Sequence, residues 1–173
     1  MLSINDLYGS ACPSKFALAK GLYLGLGVRI EDEPIRHSLA RLKALALTLA
    51  EQMTAMGFGR ICATCAAKPD GGCCSRAIAD ENDAVQLLMN FMAGVPVALG
   101  RDNGHECTFL GESGCTLTFK PIFCLNYDCQ AIKECATGEA AGLYDLHRGR
   151  LLQEQWRLEQ LILARLAHLG EFN

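Results

Sequence analysis

Residues 34 to 57 read PIRHSLARLKALALTLAEQMTAMG, and this stretch decides the fold class. Pro34 suits a first helical position, where its missing N–H costs nothing, and Gly57 supplies the stop. Between them Leu42, Leu45, Leu49, Met53 and Met56 recur at spacings of three and four, the period of an amphipathic helix of about six turns. That Leu and Met stripe is expected to pack into a core, not to touch a cofactor.

Further along, Tyr144, Leu151, Trp156, Leu158, Ile162, Leu166 and Leu169 form the broad apolar stripe of a second long helix, expected from about Gly138 to Leu169. A shorter helix starts near Asp80 to Asp83, carries Val85, Leu88, Phe91 and Met92 on one side, and ends at Gly94 and Pro96. Toward the N-terminus, Ser14 to Lys20 reads as helix. Beyond it Leu22, Leu24, Leu26, Val28 and Ile30 alternate with the period of a strand, and Gly21, Gly25 and Gly27 weaken either choice. A helix followed by an extended loop is expected there. The fold class is therefore mainly α: a single domain over residues 1–173, with long N- and C-terminal helices around a cysteine-rich metal-site region that contains a short β-hairpin. Its parts are a helical segment over 1–58, the cysteine cluster over 59–136 and a long C-terminal helix over 137–173.

With 173 residues, of which 50% are hydrophobic and 20% charged, the chain can bury one core. A formal charge of −3 argues against nucleic acid, which calls for a clustered basic face. The first residues, MLSINDLYGSACPSK, lack a basic group before Lys15, carry Asp6 and hold no uninterrupted apolar run, so they do not read as an export signal. Gly9 stands where a lipoprotein site before Cys12 would have leucine, and no apolar run reaches the ~18 residues of a membrane span. The expectation is a cytoplasmic protein without nucleic-acid or membrane partners, which leaves a protein as the macromolecular partner, if there is one. In that compartment thiols stay reduced, and clustered cysteines hold metal more often than they form disulfides.

Nine of the ten cysteines fall between Cys62 and Cys135. Cys73 and Cys74 are adjacent; neighbouring Cα atoms lie ~3.8 Å apart, against the ~4.4–6.8 Å of a relaxed disulfide. Their side chains are expected to diverge and serve different partners. The segment ICATCAAKPDGGCC, 61–74, reads as a turn-rich loop because of Pro69, Gly71 and Gly72. ECTFLGESGCTLTF, 106–119, reads as a hairpin. A four-residue loop over Gly111 to Gly114 sets Leu110 opposite Cys115 and puts Cys107 and Cys115 on opposite faces; a three- or five-residue loop puts them on the same face.

Thiolates are soft ligands that select zinc, copper(I) or iron–sulfur clusters. The C-x2-C of Cys62 and Cys65 serves zinc and iron–sulfur sites alike. A zinc module would show a second such pair, which is missing, and His37, His147 and His168 sit on predicted helices, leaving only His105 near Cys107. Irregular cysteines with Phe109, Phe119, Phe123 and Tyr127 nearby to exclude water favour an iron–sulfur cluster, of the 4Fe–4S type, over zinc.

The ordered run Cys62-x2-Cys65-x7-Cys73-Cys74, Cys107-Thr-Phe-Leu, Gly114-Cys115-Thr-Leu and Lys120-Pro-Ile-Phe-Cys124 resembles the YkgJ-like cysteine-cluster family, associated with zinc or iron chelation. The resemblance spans residues 62 to 129. It implies Cys62, Cys65, Cys73, Cys74, Cys107, Cys115 and Cys124 as metal ligands, with Cys129 added because it follows closely on the same loop. Cys135 is weaker, and Cys12 lies outside the pattern. Lys120 and Leu125 stand where the family has arginine, so the planar hydrogen-bonding fork of arginine is missing at both places. The cysteine pattern is also similar to that of flagellin lysine N-methylase. No glycine-rich strand-to-helix turn for S-adenosylmethionine accompanies it. The expected function is thiolate metal binding with a redox, sensing or accessory role; the alternatives are a structural zinc module presenting a protein-binding surface and a lysine methyltransferase-like activity.

Overall fold

A computed structural model describes residues 2–66, 72–100, 104–112 and 114–171. After a π-helical turn over Asn5–Gly9 come α1 (Cys12–Ile30), α2 (Glu33–Ala55), α3 (Phe58–Ala66), α4 (Arg76–Ala79) and α5 (Ala84–Met92). A two-stranded antiparallel ladder, β1 (Leu110–Gly111) with β2 (Gly114–Cys115), leads to α6 (Ile122–Asn126), α7 (Gln130–Cys135) and α8 (Gly138–His168). The fold is mainly α with a minimal hairpin, as the sequence predicts. Among the described residues, no helix is long and apolar enough to cross a membrane.

Two helix pairs carry the scaffold. α2 lies along α8, burying Leu42, Leu49, Leu151, Leu158 and Ile162; burial of each such side chain stabilises by roughly 1.5–3 kcal/mol. The α2 start forms as expected: Pro34 occupies the first turn, and Asp32 caps it by accepting from the Ile35 N–H at 3.1 Å. At the α2–α8 seam the buried Glu154 carboxylate accepts from Ser38 Oγ at 2.6 Å and meets Arg41 Nε at 3.3 Å.

α1 packs on α5, and here the structure departs from expectation: Leu22 to Ile30 is helix, not extended loop. The alternating apolar residues contain a helical subset. Leu22, Leu26 and Ile30 recur every four residues and face the core, while Leu24 and Val28 stand 72% and 94% exposed. Phe16 and Tyr23 close on Phe91 of α5 at ring distances of 5.7 and 5.8 Å, contacts that favour the helix. α5 itself is buried nearly all round, with only Phe91 half-exposed, instead of on one side as predicted.

Asn90 of α5 is wholly buried and fully bonded. Its Nδ2 donates to Gln86 O at 3.0 Å and Phe119 O at 2.9 Å, and its Oδ1 accepts from the Thr118 and Phe119 N–H groups, each at 3.0 Å. The segment after the hairpin is thereby fixed to the α1–α5 pair. At the other end of α5, Asp83 caps the helix by accepting from Gln86 N at 2.7 Å. Burial, with the Glu159 charge behind it, raises Asp83 to about 6.

Two outcomes are expected. Asn90→Leu leaves Phe119 O and two buried N–H groups without partners and costs roughly 3 kcal/mol or more in urea unfolding. Asp83 is held protonated more tightly in the folded than in the unfolded chain, so its contribution favours folding at acidic pH and is lost as pH rises through about 6. Asp83→Asn keeps the cap without the buried charge; it should gain about 1–2 kcal/mol over the wild type at neutral pH, and the gain should vanish below about pH 4.

Candidate metal centre

α3 forms where a loop is expected, because Phe58, fully buried, anchors the chain immediately after Gly57 turns it with φ of 73°. Cys62 and Cys65 therefore sit three apart on a helix. Residues 67–71, including Pro69 and Gly71 of the expected loop, lie outside the described residues. Where the chain returns, Gly72 passes directly over Cys65: a Cβ built there would stand 2.8 Å from Cys65 Sγ, a space only glycine leaves open.

The next step joins the two cysteine groups. Ser75 and Glu106 form an isolated antiparallel bridge, flanked by Arg76 N–H to His105 O and Cys107 N–H to Cys74 O, both at 2.8 Å. Backbone pairing thus sets Cys74 beside Cys107 across more than thirty residues of intervening chain. The β1–β2 register places Leu110 opposite Cys115 and Gly111 opposite Gly114, the four-residue-loop alternative. Cys107 nevertheless lies on the same cleft as Cys115, because it precedes the two-residue strand and alternation does not reach it.

Cys62, Cys73, Cys74, Cys107, Cys115 and Cys124 all line one cleft of about 210 Å³. Phe58, Phe109, Phe123, Tyr127 and Tyr144 supply its aromatic walls, with Phe123 stacked on Tyr127 at 5.5 Å and Phe58 edge-on to Tyr144 at 5.0 Å. Phe119, expected beside the site, is in the core instead. Of the eight candidates, Cys65 and Cys129 stand outside the cleft lining, yet both lie close enough for their charge to act on the Cys62 thiol. Cys135 is exposed at the end of α7, and Cys12 is buried in the first turn of α1. All ten cysteines carry free thiols. Among the described residues, no three Cys, His, Asp or Glu side chains are grouped to hold a single ion.

Cys73 and Cys74 both line the cleft, and the nearness of the two thiols lowers Cys73 to about 6 and pushes Cys74 up, with burial adding to the rise. Elsewhere burial dominates: it raises Cys62, Cys107 and Cys115, and with the charges of Cys115 and Cys107 it lifts Cys124 to about 12. Against that rise stands Lys120 in the cleft wall, whose ammonium favours the thiolates of Cys62, Cys115 and Cys124. Its backbone carbonyl accepts from Gln155 Nε2 of α8 at 3.0 Å.

Sequence reading missed several contributors. Arg148 of α8 donates to Leu125 O at 2.9 Å and to both Asp128 oxygens at 2.9 and 3.0 Å, and lies 4.9 Å from the Tyr144 ring centre. From a distant helix its Nη1 ties down the chain between Cys124 and Cys129, while its Nη2 donates to Asp145 of α8 at 2.6 Å. The only signal was its four-residue spacing from Tyr144. Asn82 also lines the cleft; it is 2% exposed, its Nδ2 donates to Ala79 O, and its Oδ1 has no partner among the described residues.

In the metal-free, reduced protein at neutral pH, Cys73 should react first with iodoacetamide, because its thiolate is the best populated. Cys74→Ala removes the neighbouring thiol that favours the Cys73 thiolate and should slow Cys73 labelling several-fold, as read by mass spectrometry of the alkylated peptides. No family model, curated protein or solved structure matches the chain.

Proposed function

We propose that the protein binds metal through the cysteine thiolates of this cleft, as an iron–sulfur cluster with a redox, sensing or accessory role. The observation that carries the reading is the meeting of six thiols from four separate segments on one aromatic-walled cleft. Packing alone gives no reason to gather soft ligands, whereas a thiophilic centre needs them.

The residues fit such a group in their chemistry: the donor set is all thiol, with Lys120 to offset negative charge and the buried rings of Phe58, Phe109 and Tyr144 in the wall. A lone zinc ion asks for four ligands about 2.3 Å from one point. Thiols lining a cleft of about 210 Å³ favour a multi-atom centre. The ordered cysteine pattern that resembles the YkgJ-like family supports the same reading, and Cys62, Cys73, Cys74, Cys107, Cys115 and Cys124 are the ligands proposed, with Cys65 and Cys129 adjoining.

Anaerobic reconstitution with iron and sulfide should give coloured protein with a broad visible band and matched iron and sulfide content. Cys62→Ser or Cys124→Ser should reduce that content, while Cys12→Ala and Cys135→Ser leave it unchanged. Because the ligands come from separate segments, loading should also raise the melting temperature. Colourless protein that holds zinc and no sulfide defeats the cluster; protein that binds neither metal defeats the site.

A further inference from the structure

We infer that Cys74 and Cys107 are a reversible disulfide site, whose closure withdraws two thiols from the cleft and shuts it to metal. The consequence for metal rests on the function proposed above; the crosslink itself does not.

The placement follows from the backbone. Ser75 pairs with Glu106, and the Cys107 N–H to Cys74 O bond extends the pairing by one residue, so Cys74 and Cys107 stand opposite each other on antiparallel chains. Residues so paired have Cα atoms ~5.5 Å apart, inside the ~4.4–6.8 Å of a disulfide, and side chains on the same face; their Cβ atoms, ~4.5–5.5 Å apart, close to ~3.5–4.5 Å when the bond forms. Both side chains line the cleft, as that requires. Cys62 with Cys73, and Cys115 with Cys107 or Cys124, also lie near enough for their charges to act on one another, but among the described residues no backbone pairing sets them opposite each other as it does Cys74 and Cys107. Cys73 and Cys74 are too close through the chain, Cys65 is covered by Gly72, and Cys12 is buried within the α1 packing.

A small-molecule disulfide such as glutathione disulfide can drive the step by exchange. One protein thiolate attacks a glutathione sulfur, the glutathione S–S bond breaks, and one glutathione thiolate leaves. The second protein thiolate then attacks the protein sulfur of the mixed disulfide, forming the Cys74–Cys107 bond and expelling the second glutathione. Two protein thiols are oxidised, one disulfide is reduced to two thiols, and the two protons pass to the glutathione products. A bound metal that occupies either thiolate blocks the reaction, so loading and oxidation exclude each other.

The test uses the full, reduced, metal-free chain with excess glutathione disulfide, followed by alkylation of remaining thiols and peptide mass mapping. The expected result is loss of two free thiols per chain and a dominant Cys74–Cys107 peptide, absent in Cys74→Ser and in Cys107→Ser and retained in Cys135→Ser. A different dominant pair, or glutathione adducts that never resolve, overturns the inference, and the wild-type map alone decides this even if the serine variants fold poorly. Zinc uptake by the oxidised chain should fall to that of the Cys74→Ser/Cys107→Ser double variant and return with dithiothreitol. Unchanged uptake after a confirmed crosslink would overturn the shut-off while leaving both the disulfide and the metal site in place, whereas no uptake by the reduced wild-type chain would overturn the metal reading alone.

Discussion

The cleft depends on the four hydrogen bonds of one buried amide, Asn90. The residues that carry Cys107, Cys115 and Cys124 have little regular structure: two two-residue strands, bends and a five-residue helix. Such a segment exposes backbone donors and acceptors that no ladder satisfies, and burying it against an apolar core leaves them unpaired at a cost. Asn90 removes the difficulty where the chain runs deepest. It offers Oδ1 to two successive N–H groups and Nδ2 to the Phe119 carbonyl, leaving the Phe119 ring buried in the core. Once 118–119 is fixed to α5, the hairpin lies against α3, and Lys120 and Cys124 are delivered to the cleft wall.

Three further ties complete the frame, each using backbone polarity in place of a secondary-structure element. The Ser75–Glu106 bridge joins the two cysteine groups. The Cys12 N–H donates to Asp80 Oδ1, and the buried Lys15 ammonium to Asp80 O, both at 2.6 Å, holding α1 to the turn after α4. Arg148 holds the α6–α7 connection against α8. Around the cleft, burial works against thiolate formation and Lys120 works for it. Among the described cleft residues Lys120 is the one ammonium beside six thiols, so full ionisation needs further positive charge; in the function proposed, a bound cation would supply it and displace the thiol protons.

Helical elements were legible from the sequence where one period dominated. Pro34 to Met56 and Gly138 to Leu169 carry apolar stripes over many turns, and both emerge within a residue or two of their expected ends. Leu22 to Ile30 was misread because a two-residue alternation contains the four-residue set of a helix, and only the docking of Phe16 and Tyr23 on Phe91 separates the two. Around Cys62, the glycines and proline downstream suggested a loop, but the buried ring of Phe58 outweighs them locally and helix extends through Cys65. Six of the eight cysteines singled out by order and spacing do line the cleft. Asn82 and Arg148 gave no such signal, since a polar side chain at a helix boundary or on a helix face acquires a role only from what packs beside it.

By itself, then, the sequence determined the class of fold, long amphipathic helices bracketing a short hairpin, and it singled out a run of cysteines too numerous for packing. Tertiary structure decided which thiols share a space. Residues far apart in the chain meet only when backbone groups on both sides find partners, and the Cys107–Cys74 bond, the Asn90 clamp and the Arg148 tie are such long-range pairings. Spacing along the chain carries no record of them, because each is a contact between segments whose separation the core, not the local sequence, sets.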